Sequence, residues 1–402
     1  MGRSDRPGTL DRMTMTTQIS KLRTLDDLGD VSGRRVLVRV DFNVPLADGR
    51  VGDDTRIRQA LPTIEALRAR GARLLLVSHL GRPRDREPDL SLRPVAERLA
   101  ALLGEDVGFA PSLDDIPDGD LVMLENIRYE PGETANDPAL ATRLGGLADA
   151  YVNDAFGSAH RAHASTEGLV HHVRRSAAGL LLEREVATFT RILRAPERPL
   201  VAILGGSKVT DKIGVIERFL EIADAVLIGG AMSYPFIAAR GEPVGDSLCE
   251  PEGIPVARRL LDEVAPKGKL HLPLDIVVGD AFSNDAGMRV VDFGPIPDGW
   301  EGLDAGPRTR AAYAEMIEAA ATVFWNGPVG AFELERFSEG TRAIAEAVAR
   351  TPATTVVGGG DSIAALRGFG LQDSVTHLST GGGASLELIE GRALPGVVAL
   401  MD

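Results

Sequence analysis

Pro199-Leu-Val-Ala-Ile-Leu-Gly-Gly-Ser-Lys-Val-Thr-Asp-Lys212 lies at the midpoint of the 402-residue chain, and the rest of the sequence is read outward from it. Residues 200–204 are an unbroken apolar run, the pattern of a strand buried on both faces. Gly205 and Gly206 end it with no Cβ to block a ligand. A helix start is expected next, capped by Ser207 or Thr210, with Lys208 and Lys212 on one face of its first turns. Cations there oppose the partial positive charge of the free N–H groups, and a bound anion relieves the conflict. Lysines on early helical turns are usually solvated surface. A glycine turn that opens a helix and carries two of them is better read as a phosphate site.

Toward the N-terminus, short apolar runs alternate with helix-period segments. Arg35-Val-Leu-Val-Arg-Val-Asp-Phe-Asn-Val-Pro45 reads as a strand ending in Asp41 and Asn43, followed by a helix over 55–70 with Arg56 in its first turn. Arg73-Leu-Leu-Leu-Val-Ser-His-Leu-Gly-Arg-Pro83 ends in Ser78, His79 and Arg82. Leu121-Val-Met-Leu ends in Glu125, Asn126 and Arg128, and Ala150-Tyr-Val ends in Asn153 and Asp154, ahead of His160 and Arg161. Helices are expected over 92–103 and 138–148. This alternation argues for a parallel sheet covered on both faces, whose ligands bind beyond the carboxyl ends of the strands. Those ends hold His79, Arg82, Arg128, His160 and Arg161, with Arg56 on a helix start: a basic crescent that predicts an anion site.

Residues 176–194 read as one amphipathic helix, broken by Ala195-Pro-Glu-Arg-Pro199, a natural connector between two domains. Beyond it the alternation resumes with glycines at the strand ends. Ala225-Val-Leu-Ile leads to Gly229-Gly230, and Leu272-Pro-Leu-Asp-Ile-Val-Val leads to Gly279. Thr322-Val-Phe-Trp leads to Asn326-Gly-Pro-Val-Gly330, Thr354-Thr-Val-Val to Gly358-Gly-Gly-Asp-Ser362, and Val375-Thr-His-Leu to Ser379-Thr-Gly-Gly-Gly383. Such turns expose backbone N–H groups to phosphate and let flat rings approach. One half therefore offers arginines for a small anion. The other offers glycines, Lys208, Lys212 and Asp361 for a polyphosphate and its Mg²⁺, a pairing that suggests phosphoryl transfer.

Composition narrows the classes further. Apolar residues make up 44% and charged residues 25%, ordinary for a globular protein, while the net charge of −14 argues against nucleic-acid or anionic-membrane partners. Cys249 is the single cysteine, expected to be a buried, inert thiol. No apolar run approaches a membrane span, residues 1–17 lack the core of a signal peptide, and a cytoplasmic location is expected. His160 and His163 lack a third metal ligand nearby, and Trp300 and Trp325 read as packing residues.

Val38-Arg-Val-Asp-Phe-Asn-Val-Pro45, Ser78-His-Leu-Gly-Arg-Pro83, Asn153-Asp-Ala-Phe-Gly-Ser-Ala-His-Arg-Ala-His163, Gly205-Gly-Ser-Lys-Val-Thr-Asp-Lys212, Trp325-Asn-Gly-Pro-Val-Gly330 and Gly358-Gly-Gly-Asp-Ser362 closely resemble phosphoglycerate kinases, over residues 19–398. The resemblance implies an α/β fold of two Rossmann-like domains, each a parallel sheet with helices on both faces, joined by a hinge helix. Residues 1–18, polar and rich in Arg, Asp and Thr, are expected to be a disordered tail; the resemblance implies a substrate domain over 19–185 completed by 393–402, and a nucleotide domain over 186–392. The activity implied is reversible, Mg²⁺-dependent phosphoryl transfer between ATP and the carboxylate of 3-phosphoglycerate, in glycolysis and gluconeogenesis, by a monomer that closes when both substrates are bound.

The family's substrate residues fall on Asp41, Asn43, Arg56, His79, Arg82, Arg128 and Arg161, with the intervening Phe42, Leu80 and Gly81. Its nucleotide residues fall on Lys212, Gly302, Glu333, Gly359, Gly360, Asp361 and Ser362. Glu333 would bind the ribose, Asp361 the nucleotide's Mg²⁺, and Lys208 with Lys212 the phosphates. The acceptor carboxylate is already ionised, so no general base is required; the step needs charge neutralisation and in-line positioning. Arg56, Lys208 and Lys212 are the expected catalytic groups, assisted by the Gly382 and Gly383 amides. Pro235 stands where the family more usually has threonine, and Ser362 likewise replaces a common threonine. A nicotinamide or nucleotide-sugar enzyme would need a dinucleotide fingerprint, and a two-lobed solute-binding protein would leave Lys208, Lys212 and Asp361 without a role.

Overall fold

The structure, a computed structural model, describes residues 22–263 and 268–402; the expected tail at 1–18 lies outside the described residues. The chain divides into two compact units. The first runs through Thr190 and takes back Gly391–Asp402; the second is Arg191–Glu390.

The first unit is built on a six-stranded sheet. From edge to edge its strands are Gly108–Ala110, Leu121–Leu124, Arg73–Val77, Arg35–Arg39, Ala150–Asn153 and Ser176–Ala178, every neighbouring pair parallel. The helices between them follow from local chemistry. Asp137 accepts from the N–H groups of Ala139 and Leu140 (2.9 and 3.0 Å) to start Pro138–Gly145, and Gly104, in the left-handed region at φ 71°, ends Arg93–Leu103. Val36, Val38, Leu74 and Leu76 of the central strands bury against Ile57, Ile64 and Leu67 of helix Thr55–Ala69. Each such side chain contributes about 1.5–3 kcal/mol over its exposed state.

The C-terminal peptide is tied into this unit. Arg23 donates from its backbone N–H to Leu400 O (3.0 Å) and from Nη2 to Ala399 O (2.8 Å), and Gly396 N donates to Ala159 O (2.9 Å).

The second unit repeats the plan in the order Leu270–His271, Ala225–Ile228, Leu200–Leu204, Thr322–Asn326, Thr354–Gly358 and His377–Ser379, again all parallel. Its register aligns Leu204 with Ile228 and Asn326, Asn326 with Gly358, and Gly358 with Ser379. The glycine turns at 205–206, 229–230, 327 and 359 consequently emerge along one sheet edge. Trp325 is fully buried and donates from Nε1 to Gly327 O (2.8 Å), while Trp300 packs under the Arg289 guanidinium at 4.0 Å.

The structure corrects several readings. Residues 176–194 are not one helix: Ser176–Ala178 is an edge strand, and the helix is Leu180–Arg194. Its start is set from outside, because the Asp154 carboxylate accepts from Leu181 N (2.9 Å) and Leu182 N (3.3 Å). Residues 272–278 do not extend the parallel sheet. Asp275–Gly279 is the middle strand of a separate antiparallel sheet, between Met288–Asp292 and Glu301–Ala305. Pro273 has no N–H to donate, and Asp275 turns to Thr309, accepting from its N–H at 2.8 Å.

Beyond Gly206 the regular helix starts only at Ile213, after a short 3₁₀ turn at Thr210–Lys212, and neither Ser207 nor Thr210 caps it. Pro235 falls in the first turn of helix Tyr234–Ala239, where no intrahelical donor is needed. Cys249 is half-buried, its thiol pushed up by burial and by Glu250. No helix among the described residues is long and apolar enough to cross a membrane.

Two strand-end turns of the second unit meet backbone to backbone. A Cβ on Gly205 would lie 2.1 Å from Pro328 O and 2.7 Å from Gly327 O, atoms that cannot swing aside. Gly205→Ala is expected to lower unfolding free energy by about 2 kcal/mol or more, measured by urea titration. A loss of only a few tenths would mean that the turns slide freely.

Candidate functional site

In the first unit the loops that follow adjacent strands carry the basic side chains. Arg56 Nη1 reaches Asp41 Oδ2 at 2.5 Å, and Asn43 Oδ1 accepts from Gly81 N at 2.9 Å, tying together the loops that follow Arg35–Arg39 and Arg73–Val77. Phe42 N donates to Ser78 Oγ (2.9 Å). Burial alone would raise the Asp41 carboxyl, yet the charge of Arg56, helped by Arg39, holds it below its ordinary range. Phe42 and Leu80 are buried in the apolar core, which leaves only their backbone atoms for a ligand. Gly81 takes φ +62°, and a Cβ there would meet Leu90 at 2.8 Å.

The guanidinium groups crowd one another. Burial, then the charges of Arg161 and Arg39, pull Arg128 down to about 10, and Arg82 acts on it in the same sense. Arg128 donates through Nη1 to Gly81 O, but its Nε is buried without a partner. Burial and Arg39 hold His79 well below its usual value, so it is neutral at pH 7. Arg39 Nη2 lies 3.1 Å from His79 Nδ1. A guanidinium only donates, so Nδ1 accepts and the proton sits on Nε2. His163 is pushed down to about 4 by burial and by Arg128, and Arg161 Nε donates to His160 Nε2 at 3.1 Å. Like charges held this close, with an orphaned donor among them, favour occupation by an anion.

In the second unit a cavity of about 500 Å³ opens among the glycine turns. Gly206, Ser207, Gly230, Gly302, Glu333 and Asp361 line it, with Tyr234, Leu248, Phe282, Leu303 and Phe332 as apolar walls. Lys212 donates from Nζ to Gly205 O (2.6 Å) and Asn326 O (3.2 Å). Burial lowers its ammonium to about 8, against the opposing pull of Asp361 and Asp211. Lys208 is exposed on the same turn.

Gly359 takes φ +89°, and Gly360 opens helix Gly360–Gly368 with Asp361 in its first turn. Ser362 is buried, and its Oγ accepts from Gly327 N at 2.6 Å: the hydroxyl braces a turn and does not line the cavity. Gly382, at φ +54°, precedes helix Gly383–Ile389 at the end of strand His377–Ser379.

The family model described as phosphoglycerate kinase matches residues 25–392. The chain belongs to the phosphoglycerate kinase family. A phosphoglycerate kinase of Roseiflexus castenholzii is 53% identical over 393 residues, covering 94% of this chain and 99% of the relative. That of Moorella thermoacetica is 52% identical over 390 residues, with the same coverage. A solved phosphoglycerate kinase structure from Coxiella burnetii superposes with a TM-score of 0.86 at 40% identity, covering 94% of this chain and 98% of that one. The reaction is reversible phosphoryl transfer between ATP and the carboxylate of 3-phosphoglycerate, giving 1,3-bisphosphoglycerate and ADP.

Sequence reasoning missed the layer beneath these residues. Arg39 is almost fully buried and donates from Nε to Ser165 Oγ (2.9 Å), which donates to Glu133 Oε1 (2.6 Å). Asn126 accepts from Leu80 N and Arg128 N (3.2 and 3.1 Å) and donates to Leu80 O (2.8 Å). Arg39 carried a readable signal as a charge inside an otherwise apolar strand run, and Asn126 was legible as a strand-end residue without its bracing role, whereas Ser165 and Glu133 carried none.

Asp304 was also missed. It accepts from Gly340 N (2.7 Å), its Oδ1 is buried without a partner, and burial raises its carboxyl from 3.8 to about 8. Between those values the folded state holds a proton that the unfolded state has released, so this group's contribution to stability falls as pH rises through the window. The stability of the natural protein relative to Asp304→Asn is therefore expected to fall between pH 5 and about 8. Urea unfolding at the two pH values checks it; a constant difference would show that Asp304 is ionised throughout.

Proposed function

We propose that the guanidinium cluster of the first unit binds 3-phosphoglycerate and that the cavity of the second binds ATP. The observation that carries the first half is the mutual crowding of Arg39, Arg82, Arg128 and Arg161, with Arg128 Nε left unpartnered. His79 donates a neutral Nε2–H and Arg128 a charged fork to the substrate's phosphate, with Arg82 and Arg161 completing the counter-charge. Asp41 and Asn43 orient the other end of the acid. Arg56, held by Asp41, supplies the positive charge nearest the reacting carboxylate.

The second half rests on the cavity's lining. Gly206 and Ser207 line the phosphate end, Glu333 accepts from the ribose hydroxyls, and Gly302, backed by Tyr234 and Ser247, forms part of the wall for the base. Gly359, Gly360 and Ser362 shape the turn that presents Asp361. Lys208 and Lys212 neutralise the transferring phosphoryl group, and the Gly382 and Gly383 amides assist.

Among the described residues no group of three or more His, Cys, Asp or Glu side chains is arranged to hold a metal ion. Of the three carboxylates that line the cavity, Glu301, Glu333 and Asp361, the last acts on the Lys212 ammonium, and one carboxylate at that place fits a Mg²⁺ that arrives on the nucleotide. Bound there, the ion would offset phosphate charge. The protein acts as a cytoplasmic monomer without nucleic-acid or membrane partners, in line with its net charge of −14.

Purified protein with Mg-ATP and 3-phosphoglycerate, its product drawn off by glyceraldehyde-3-phosphate dehydrogenase, should oxidise NADH only when both substrates and Mg²⁺ are present. In that assay Arg56→Ala is expected to lower kcat about 10²-fold or more with both ligands still bound. His79→Ala and Arg128→Ala are expected to act chiefly on KM for the acid. Near-normal turnover in Arg56→Ala would remove Arg56 from the transition state.

A further inference from the structure

Ser247-Leu-Cys-Glu250 belongs to none of the glycine turns, yet Leu248 lines the second unit's cavity and the flanking residues bond to Gly302, which also lines it, and to Thr210, three residues beyond the lining Ser207. It is anchored at its start: Asp246 N donates to Trp300 O at 2.9 Å, and Gly245, at φ +55°, has no room for a side chain against the same carbonyl. The buried Ser247 Oγ then accepts from Gly302 N at 2.9 Å, a residue that lines the cavity together with Gly206 and Ser207. Leu248 follows, lining the cavity with 63% of its surface exposed.

Glu250 closes the span. Its Oε2 accepts from Thr210 N at 2.9 Å and its Oε1 from Thr210 Oγ1. Helix Gly253–Glu263 begins directly on this turn, where a Cβ on Gly253 would lie 2.2 Å from Val209 Cγ1. Thr210 opens the turn that leads into helix Ile213–Ile222, where a carboxylate also complements the free N–H groups. What little burial Glu250 has would raise it, but Thr210 and the nearby Lys208 charge outweigh that, so it stays ionised.

We propose that Glu250 is a positioning residue for phosphoryl transfer: through Thr210 it fixes the turn bearing Lys208 and Lys212 against the wall formed by Ser247, Leu248 and Gly302. Glu250 touches neither nucleotide nor acid. It acts by holding Thr210, and the distance from base wall to phosphate turn is set by the span between Ser247 and Glu250. The inference rests on reading this cavity as the nucleotide site.

A double-mutant cycle on the full-length enzyme tests it, with Glu250→Gln, Thr210→Val and the pair read as kcat and KM for Mg-ATP and for 3-phosphoglycerate. Each single variant is expected to lower kcat/KM for ATP about tenfold while KM for the acid stays within about twofold. Since Thr210→Val leaves the Thr210 N–H bond to Glu250 in place, the pair should lose no more than Glu250→Gln alone, and Thr210→Ser, which keeps the hydroxyl, should behave like the natural protein. Additive losses, losses shared equally between the two substrates, or unchanged ATP kinetics would each overturn the proposal. If Glu250→Gln does not fold, Thr210→Val against Thr210→Ser still decides, since equal ATP kinetics in the two would overturn it. Asp361→Asn is measured alongside. A normal Asp361→Asn withdraws the nucleotide reading itself, whereas a defective one beside a flat Glu250–Thr210 cycle overturns only the positioning role.

Discussion

A buried ammonium must find acceptors, and Lys212 finds them in the carbonyls of Gly205 and Asn326 at the ends of two adjacent parallel strands. Much of the second unit's site follows from that contact. The strand ends are held close, so Gly205 has no room for a Cβ beside Pro328, and one on Gly327 would meet the ammonium itself at 2.7 Å. Ser362 then braces the same turn by accepting from Gly327 N. Burial leaves the ammonium at about 8, charged at neutral pH but partly desolvated, the condition in which it interacts most strongly with an arriving phosphate.

The first unit meets the same physical problem with guanidinium groups. Arg39 is buried in the sheet, and a chain of hydrogen bonds through Ser165 to Glu133 offsets its charge from below. Burial raises Glu133 despite the nearby arginines, and this one carboxylate stands against the guanidinium groups of Arg39, Arg82, Arg128 and Arg161, so the upper side of the cluster remains electropositive. His79 stays neutral because Arg39 and burial both oppose its protonation. The cluster is therefore a local concentration of positive charge on a protein whose net charge is −14.

The layout of strand ends was legible because a parallel strand announces itself twice: by an apolar run, and by the polar or glycine residues that stop it. Asp41, His79, Arg82 and Arg128 sit after such runs, as do the glycines at 205, 229, 327 and 359. Departures came where a distant side chain overrode local pattern. Asp154 starts the helix at Leu180 and leaves residues 176–178 to the sheet edge, and Thr309 takes Asp275 into an antiparallel sheet. Neither partner is near in sequence, so no periodicity could reveal it.

The sequence by itself determined the α/β class, the two series of strands and the residue types waiting at their ends, because burial period and turn chemistry are local properties. Long-range hydrogen bonding decided the rest: which neutral tautomer His79 holds, what Arg39 pairs with, why Ser362 is a brace, and how Glu250 reaches Thr210. Those contacts join residues tens of positions apart. Only the packed tertiary structure brings a donor and an acceptor within hydrogen-bonding distance, and only there does burial make an unpaired charge costly enough to dictate its partner.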